Sequence, residues 1–271
     1  MRLPDFEQPP VREVVIATRF ERLRATTADL VRWADRVLGD EFPTSQDQGP
    51  VEMPTEVLPG AGGASLGLGA LGISFVAHPQ PRLWFRSVAG GYLVQLQPDW
   101  VAVNWEATGS ASDYPRFSVI EELFLRVFDA LPQLCGSGES IFPNQCEVTY
   151  VNHIGAESGL TDHGQAAEVF RLTNVLPDPL GVPERVRAEL SFRLPLDQSD
   201  QIGRLHVSLA PGLKQDAGTP IYTLTMTARG TPTTADRAGV LTFVQTGHEA
   251  IVRGFASSTT EAAHARWGRR D

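Results

Sequence analysis

Residues Arg82–Trp105, RLWFRSVAGGYLVQLQPDWVAVNW, are dense in aromatic and β-branched side chains and hold three of the five tryptophans. Such side chains fit a pleated, half-buried surface, and short breaks rich in Gly or Pro reverse the chain. Ala89–Gly91 and Pro98–Asp99 are two such breaks. The stretch therefore reads as three consecutive antiparallel strands, Leu83–Ser87, Tyr92–Gln97 and Trp100–Trp105. Alternation puts Tyr92, Val94 and Leu96 on one face and Leu93, Gln95 and Gln97 on the other. In the third strand Val101, Val103 and Trp105 oppose Trp100, Ala102 and Asn104.

The flanking elements follow from the same periodicities. Pro4, Pro9 and Pro10 bring the chain in extended, and Val11–Phe20 alternates with apolar residues on both faces, as a covered strand does. Thr26 and Asp29 form a capping-box start for a helix with Leu30, Trp33, Ala34, Val37 and Leu38 on one stripe, stopped by Gly39. Residues 40–72, with four prolines and the run GAGGASLGLGALG, are expected to form a long surface segment with at most one strand. Phe117–Leu131 carries Phe117, Ile120, Phe124, Val127, Phe128 and Leu131 at helical spacing. After the loop Gly136–Asn144 the order recurs. Cys146–Ile154 is a strand and Asp162–Leu172 a short helix. Val186–Leu194, Arg204–Ala210 and Ile221–Arg229 are strands, and Ala235–Phe255 is a long helix. Ser258 and Glu261 are expected to cap a last short helix ending near Trp267. The prediction is an α+β fold of two similar β-α-β-β-β-α halves, residues 1–136 and 137–271, whose strands form antiparallel sheet with long helices on one face.

Composition narrows the function classes. A formal charge of -9 argues against general affinity for nucleic acid or an anionic membrane surface. No window is long and apolar enough to span a bilayer, and MRLPDFEQPP has no apolar signal core, so a soluble, cytoplasmic protein is expected. Cys135 and Cys146 are close enough in sequence to pair across a short loop, but two isolated thiols in such a chain are more often free and partly buried, and the sequence leaves the pairing open. Lys214 is the sole lysine, which fits a coding bias toward arginine better than dedicated anion recognition.

Three motifs lack the context their chemistry needs. Gly67-x-Gly69-x-x-Gly72 is not preceded by a strand or followed by a helix that would meet a pyrophosphate. Gly63-x-Ser65-x-Gly67 lacks the strand-to-helix turn of a nucleophile elbow. His248-Glu249 has Val252 where a zinc-protease helix needs its second histidine, and His248 lies on the apolar stripe of its helix. No catalytic residue, metal site or cofactor is expected. The polar residues to watch are Glu13, Arg86, Gln95, Gln97, Asn104, Tyr114, Asn152 and His153. They are expected to form either a buried network that sets strand register or the floor of a cavity walled by Trp84, Tyr92, Trp100 and Trp105.

Pro9-Pro10-Val11-x-Glu13-Val14, Gln95-x-Gln97 leading to Asn104-Trp105, Tyr114-Pro115-x-Phe117, Thr149-Tyr150-Val151-Asn152, and Phe255 followed by His264 and Trp267 occur in that order. The order resembles a sporadically distributed prokaryotic family of uncharacterised proteins of similar length, over nearly the whole chain. That resemblance implies no activity, cofactor or catalytic residue; the family's distribution suggests accessory genes, including defence or toxin–antitoxin neighbourhoods. The expected function is non-catalytic binding of a partner protein or small ligand, with homo-oligomerisation open. The alternatives are an enzyme with a helix-grip-like cavity, using Glu13, Tyr150 or His153 as acid–base groups, and an accessory component of a defence or toxin–antitoxin pair.

Overall fold

In a computed structural model, residues 2–50, 54–56, 81–109, 114–136, 140–171, 181–195, 202–214 and 218–270 are described. The two glycine motifs between Gly63 and Gly72 lie outside them. The strands are β1 (Asp5–Phe6), β2 (Val11–Phe20), β3 (Thr44–Gln48), β4 (Arg82–Arg86), β5 (Tyr92–Gln97), β6 (Trp100–Glu106), β7 (Pro143–Ile154), β8 (Ala188–Leu194), β9 (Gly203–Leu213), β10 (Pro220–Gly230) and β11 (Arg269–Arg270). The helices are α1 (Thr27–Val37), α2 (Phe117–Ala130), α3 (Ala166–Val169), α4 (Arg237–Ser258) and α5 (Glu261–Arg266).

Nine strands form one antiparallel sheet in the order β3-β4-β5-β6-β2-β7-β10-β9-β8. The aromatic stretch supplies β4, β5 and β6, in which Leu83 pairs with Leu96, and Val94 with Val103. β2 pairs with β7 at the centre, Ile16 opposite Val148 and Val14 opposite Tyr150. It is the one junction in this order between strands that precede residue 136 and strands that follow residue 142. Helix α2 lies over β6 and β2, and α4 over β10 and β7. Between helices and sheet sit Val14, Ile16, Val94, Val103, Phe124, Val148, Leu224, Phe243 and Ile251, each no more than 1% exposed. Burying side chains of this size contributes about 1.5–3 kcal/mol apiece, which is why the helices stay on this face.

Local signals explain most element ends. Thr26 and Asp29 make the reciprocal capping box of α1, and Gly39 at φ +54° lets the chain turn out of it. α2 gives way to a 3-10 turn at Leu131, where Pro132 has no N–H to continue the ladder. Some expectations need correcting. Ser258 is the last residue of α4 rather than a cap; the N-cap of α5 is Thr260, whose hydroxyl accepts from the Ala263 N–H at 3.3 Å. The expected helix at Asp162–Leu172 is a 3-10 turn, His163–Gln165, followed by the four residues of α3, because buried Phe170 leaves the helix to bridge Thr259. The strand expected from Val186 begins at Ala188. Cys135 and Cys146 are not joined by a disulfide, and Cys146 is buried.

The chain ends are tied together. β1 pairs with β11, and Phe6 packs edge-on to Phe255 and Trp267 at ring distances of 5.6 and 6.1 Å. No described helix is long and apolar enough to cross a membrane.

α4 lies close on the sheet at Gly247, where an added Cβ would lie 2.9 Å from Ala228 Cβ and 3.4 Å from Val148 Cγ2. Gly247→Ala gains about 1 kcal/mol of helix propensity but overpacks a site backed by two strands, a cost of about 1–3 kcal/mol. The net expectation is a lower urea midpoint. A raised midpoint would show that α4 can lift without penalty.

Candidate functional site

The eight watched residues divide between the two faces of the sheet. On the face away from the helices, Trp84 Nε1 donates to Gln95 Oε1 at 2.9 Å and Gln95 Nε2 to Asn104 Oδ1 at 2.6 Å. Asn104 Nδ2 then donates to Glu13 Oε1 at 2.7 Å. This chain crosses β4, β5, β6 and β2 diagonally, Trp84 and Gln95 being direct partners while Asn104 and Glu13 each stand two residues along from the direct partner, so it locks their register. Burial raises the Glu13 carboxyl against the opposing effect of the Asn104 hydrogen bond. Arg86 and Arg82 lie over the Trp84 ring at 5.0 and 5.1 Å, and Gln97 reaches Asp99 at 3.5 Å. His153 sits farther along the same face, its ring pKa lowered by burial. Here the polar residues meet packed partners.

A second polar grouping on this face holds residues 54–56 against the sheet. Glu56 receives Arg204 and His206, the latter at 2.8 Å, while Gln145 bonds the backbone on both sides of Thr55. Burial works to raise the Glu56 carboxyl, but the His206 and Arg204 hydrogen bonds outweigh it and hold it below its usual range. On the far side of His206, Ser191 Oγ lies 3.0 Å from Nδ1.

Tyr114 and Asn152 belong to the other face, in a cavity of about 360 Å³ between sheet and helices. Its floor is Tyr150, Asn152 and Val11, and its walls are Phe117, Ser118 and Glu121 of α2 with His248, Ile251, Val252 and Phe255 of α4. Leu3, Pro4, Asp5, Phe6 and Pro9 close one side. None of Trp84, Tyr92, Trp100 and Trp105, the expected walls, lines it. Trp84 and Trp100 face away from the helices, while Trp105 supports Tyr114 from behind at a ring distance of 5.3 Å.

Local backbone shapes this site. β2 shifts register between Val11 and Glu13, opposite Asn152 and Val151, and such bulges re-aim strand side chains. Arg116, just before α2, has φ 77° and ψ 153°, a region essentially reserved for glycine and costing about 1–3 kcal/mol. Its guanidinium donates to Asp5 Oδ1 at 2.8 Å and to the Phe6 carbonyl at 3.0 Å, clamping the closing segment onto α2.

The polar groups inside form a relay. Tyr114 and Tyr150 hydroxyls lie 3.1 Å apart, and Tyr150 Oη lies 2.9 Å from His248 Nδ1. The His248 ring stacks on Phe117 with centroids 3.9 Å apart and planes 1° from parallel. Burial lowers the His248 pKa to about 4 against the opposing pull of Glu249, so the ring is neutral at pH 7. Burial likewise raises Tyr114 to about 12 and Tyr150 well above its ordinary value. All three groups thus stay uncharged. The chain of hydrogen bonds can run in either direction with the imidazole tautomer, so Tyr114 can offer an occupant a proton or a lone pair. Glu121 beside them is raised by burial, partly offset by Gln245, and its Oε1 is shut off from water without a hydrogen-bond partner.

Three of these groups left a trace in the sequence. Glu121 is four residues from Phe117, inside the apolar stripe of α2 where a carboxylate is costly. His248 stands on the stripe of α4, and Tyr150 on the inward alternation of β7. Arg116 left none, because a positive φ is imposed by tertiary contacts. Among the described residues no group of three or more His, Cys, Asp and Glu is placed to hold a metal ion. The chain matches no protein-family model, and no curated protein matches it significantly.

Unfolded, the His248 imidazole takes its proton near pH 6.5; folded, only near pH 4. In that window the unfolded chain holds more protons, so acidification destabilises the fold, by at most about 3 kcal/mol for this group. His248→Gln keeps a partner for Tyr150 and removes the proton. Its loss of urea resistance between pH 7.5 and 4.5 is expected to be smaller than wild type's, the lowered His153 and His264 and raised Glu13 and Glu121 being common to both. Equal losses would mean that the ring is not desolvated. On the opposite face, Asn104→Leu strands Gln95 and Glu13 and is expected to cost about 1–3 kcal/mol in the same assay.

Proposed function

We propose that the protein binds a small, largely apolar molecule in the cavity between β7, α2 and α4. The observation that carries this reading is an apolar enclosure with a few converging polar groups, the Tyr114–Tyr150–His248 relay and Glu121, which is how small-ligand sites are built. The strained Arg116 beside it supports the reading, since strain of that kind persists where surrounding structure enforces it at functional sites. The cavity also draws on both parts of the chain, α2 from residues 1–136 and Tyr150 and α4 from residues 137–271. Either side of β2–β7 a meander and then a long helix follow the central strand, four strands (β3–β6) on one side and three (β8–β10) on the other, and that shared order supports reading the two parts as an internal duplication with the site at their junction.

Fragments with an apolar body and one polar group are expected to raise the melting temperature, by about 2–4 °C per kcal/mol of binding free energy for a chain of this size. Val252→Trp, which fills the cavity, should abolish the shifts while leaving the far-UV circular dichroism unchanged. Shifts that survive that substitution, or no shift with any fragment, would overturn the proposal.

A second reading is that the relay also moves protons during a reaction of the occupant. It rests on the neutral His248 ring held by Tyr150 Oη. Turnover of a bound molecule that disappears in His248→Gln at unchanged affinity would establish it; binding without turnover leaves the protein a binder.

A further inference from the structure

We infer that the occupant of this cavity carries a protonated amine on an apolar or aromatic body, seated with its cation toward Glu121. The inference rests on the binding reading above and specifies its ligand. Its starting point is the charge balance of the cavity. Asp5 and Arg116 pair with each other at 2.8 Å and cancel. The tyrosine and histidine groups are neutral. Glu121 is left as the single uncompensated charge, half-buried and without an ion pair among the described residues.

An unpaired carboxylate among apolar groups is unfavourable, and its field is weakly screened; it reaches the neighbouring Tyr150 hydroxyl. A cation delivered from the cavity side relieves both problems. Rotation of the carboxylate about its last side-chain bond brings Oε1, now without a donor, to an ammonium N–H. Tyr114 and Tyr150 oxygens accept the remaining ammonium protons, since the relay can turn its lone pairs inward. Phe117 and Phe255 line the same space, and aromatic rings suit an organic cation. An anionic ligand would meet the Glu121 charge unopposed. A neutral hydroxyl would give Oε1 a donor but leave the Glu121 charge uncompensated.

The test uses three probes with one aromatic body: 2-phenylethylamine, 2-phenylethanol and 3-phenylpropionate, titrated at pH 7 into the full chain by isothermal calorimetry. The amine is expected to bind at least about tenfold more tightly than the alcohol, a difference of about 1.4 kcal/mol, and the carboxylate not to bind measurably. In Glu121→Gln the preference for amine over alcohol should vanish while the alcohol still binds. Equal affinities in the wild type, a preference for the carboxylate, or an undiminished amine preference in the variant would overturn the inference. The comparison within the wild type stands whether or not the variant folds. If no amine binds while other fragments stabilise the protein and Val252→Trp abolishes their effect, the amine inference fails and the cavity reading survives. If nothing binds at all, both fail.

Discussion

The antiparallel pairing of β2 with β7 sets the position of everything else. It places Ile16 against Val148 and Val14 against Tyr150, all buried, and it joins the flank β6-β5-β4-β3 to the flank β10-β9-β8. Because each long helix packs over the strands beside this junction, α2 and α4 are brought near enough for Phe117 to stack on His248. Loss of the pairing would leave one edge of each of two long inner strands without hydrogen-bond partners, and no local propensity of α2 or α4 would keep the cavity between them.

The hydrogen-bonded chain from Trp84 to Glu13 and the cavity on the opposite face handle buried polarity in opposite ways. Away from the helices, donors and acceptors are matched in sequence from Trp84 to Glu13, so each amide oxygen and amide N–H that enters the chain finds its complement one strand over. Such a network specifies register and leaves nothing to offer a ligand. On the helix face the Tyr114–Tyr150–His248 relay is matched internally but stands next to open volume, and Glu121 beside it is only partly matched. That incomplete satisfaction, enclosed by apolar walls, is the feature on which the proposed ligand site depends.

The closure of that site is tertiary in origin. β1 and β11 hold Asp5–Phe6 and Arg269–Arg270 together, Phe6 enters an aromatic group with Phe255 and Trp267, and Arg116 fastens Asp5 across the mouth. A backbone conformation unfavourable for arginine is maintained by these contacts, so the cavity wall is built from stabilisation gained elsewhere in the fold.

The sequence by itself determined the mixed α and β content, the aromatic meander with its two faces, the capping box at Thr26 and the apolar stripes of the long helices. These depend on period and on turn chemistry, which are local. It also placed Gln95 and Asn104 opposite the apolar core face, though not with whom they bond. The tertiary structure alone decided that Tyr114 and Asn152 part company from Glu13, Gln95 and Asn104. It decided too that Glu121 and His248, which their own helices present as costly exceptions in an apolar stripe, meet beside Tyr150. The physical reason is that cavity formation depends on the spacing of α2 and α4 over β2 and β7, set by contacts as close as Gly247 to Ala228 and as distant in sequence as Phe6 to Trp267. No periodicity within one element encodes that spacing.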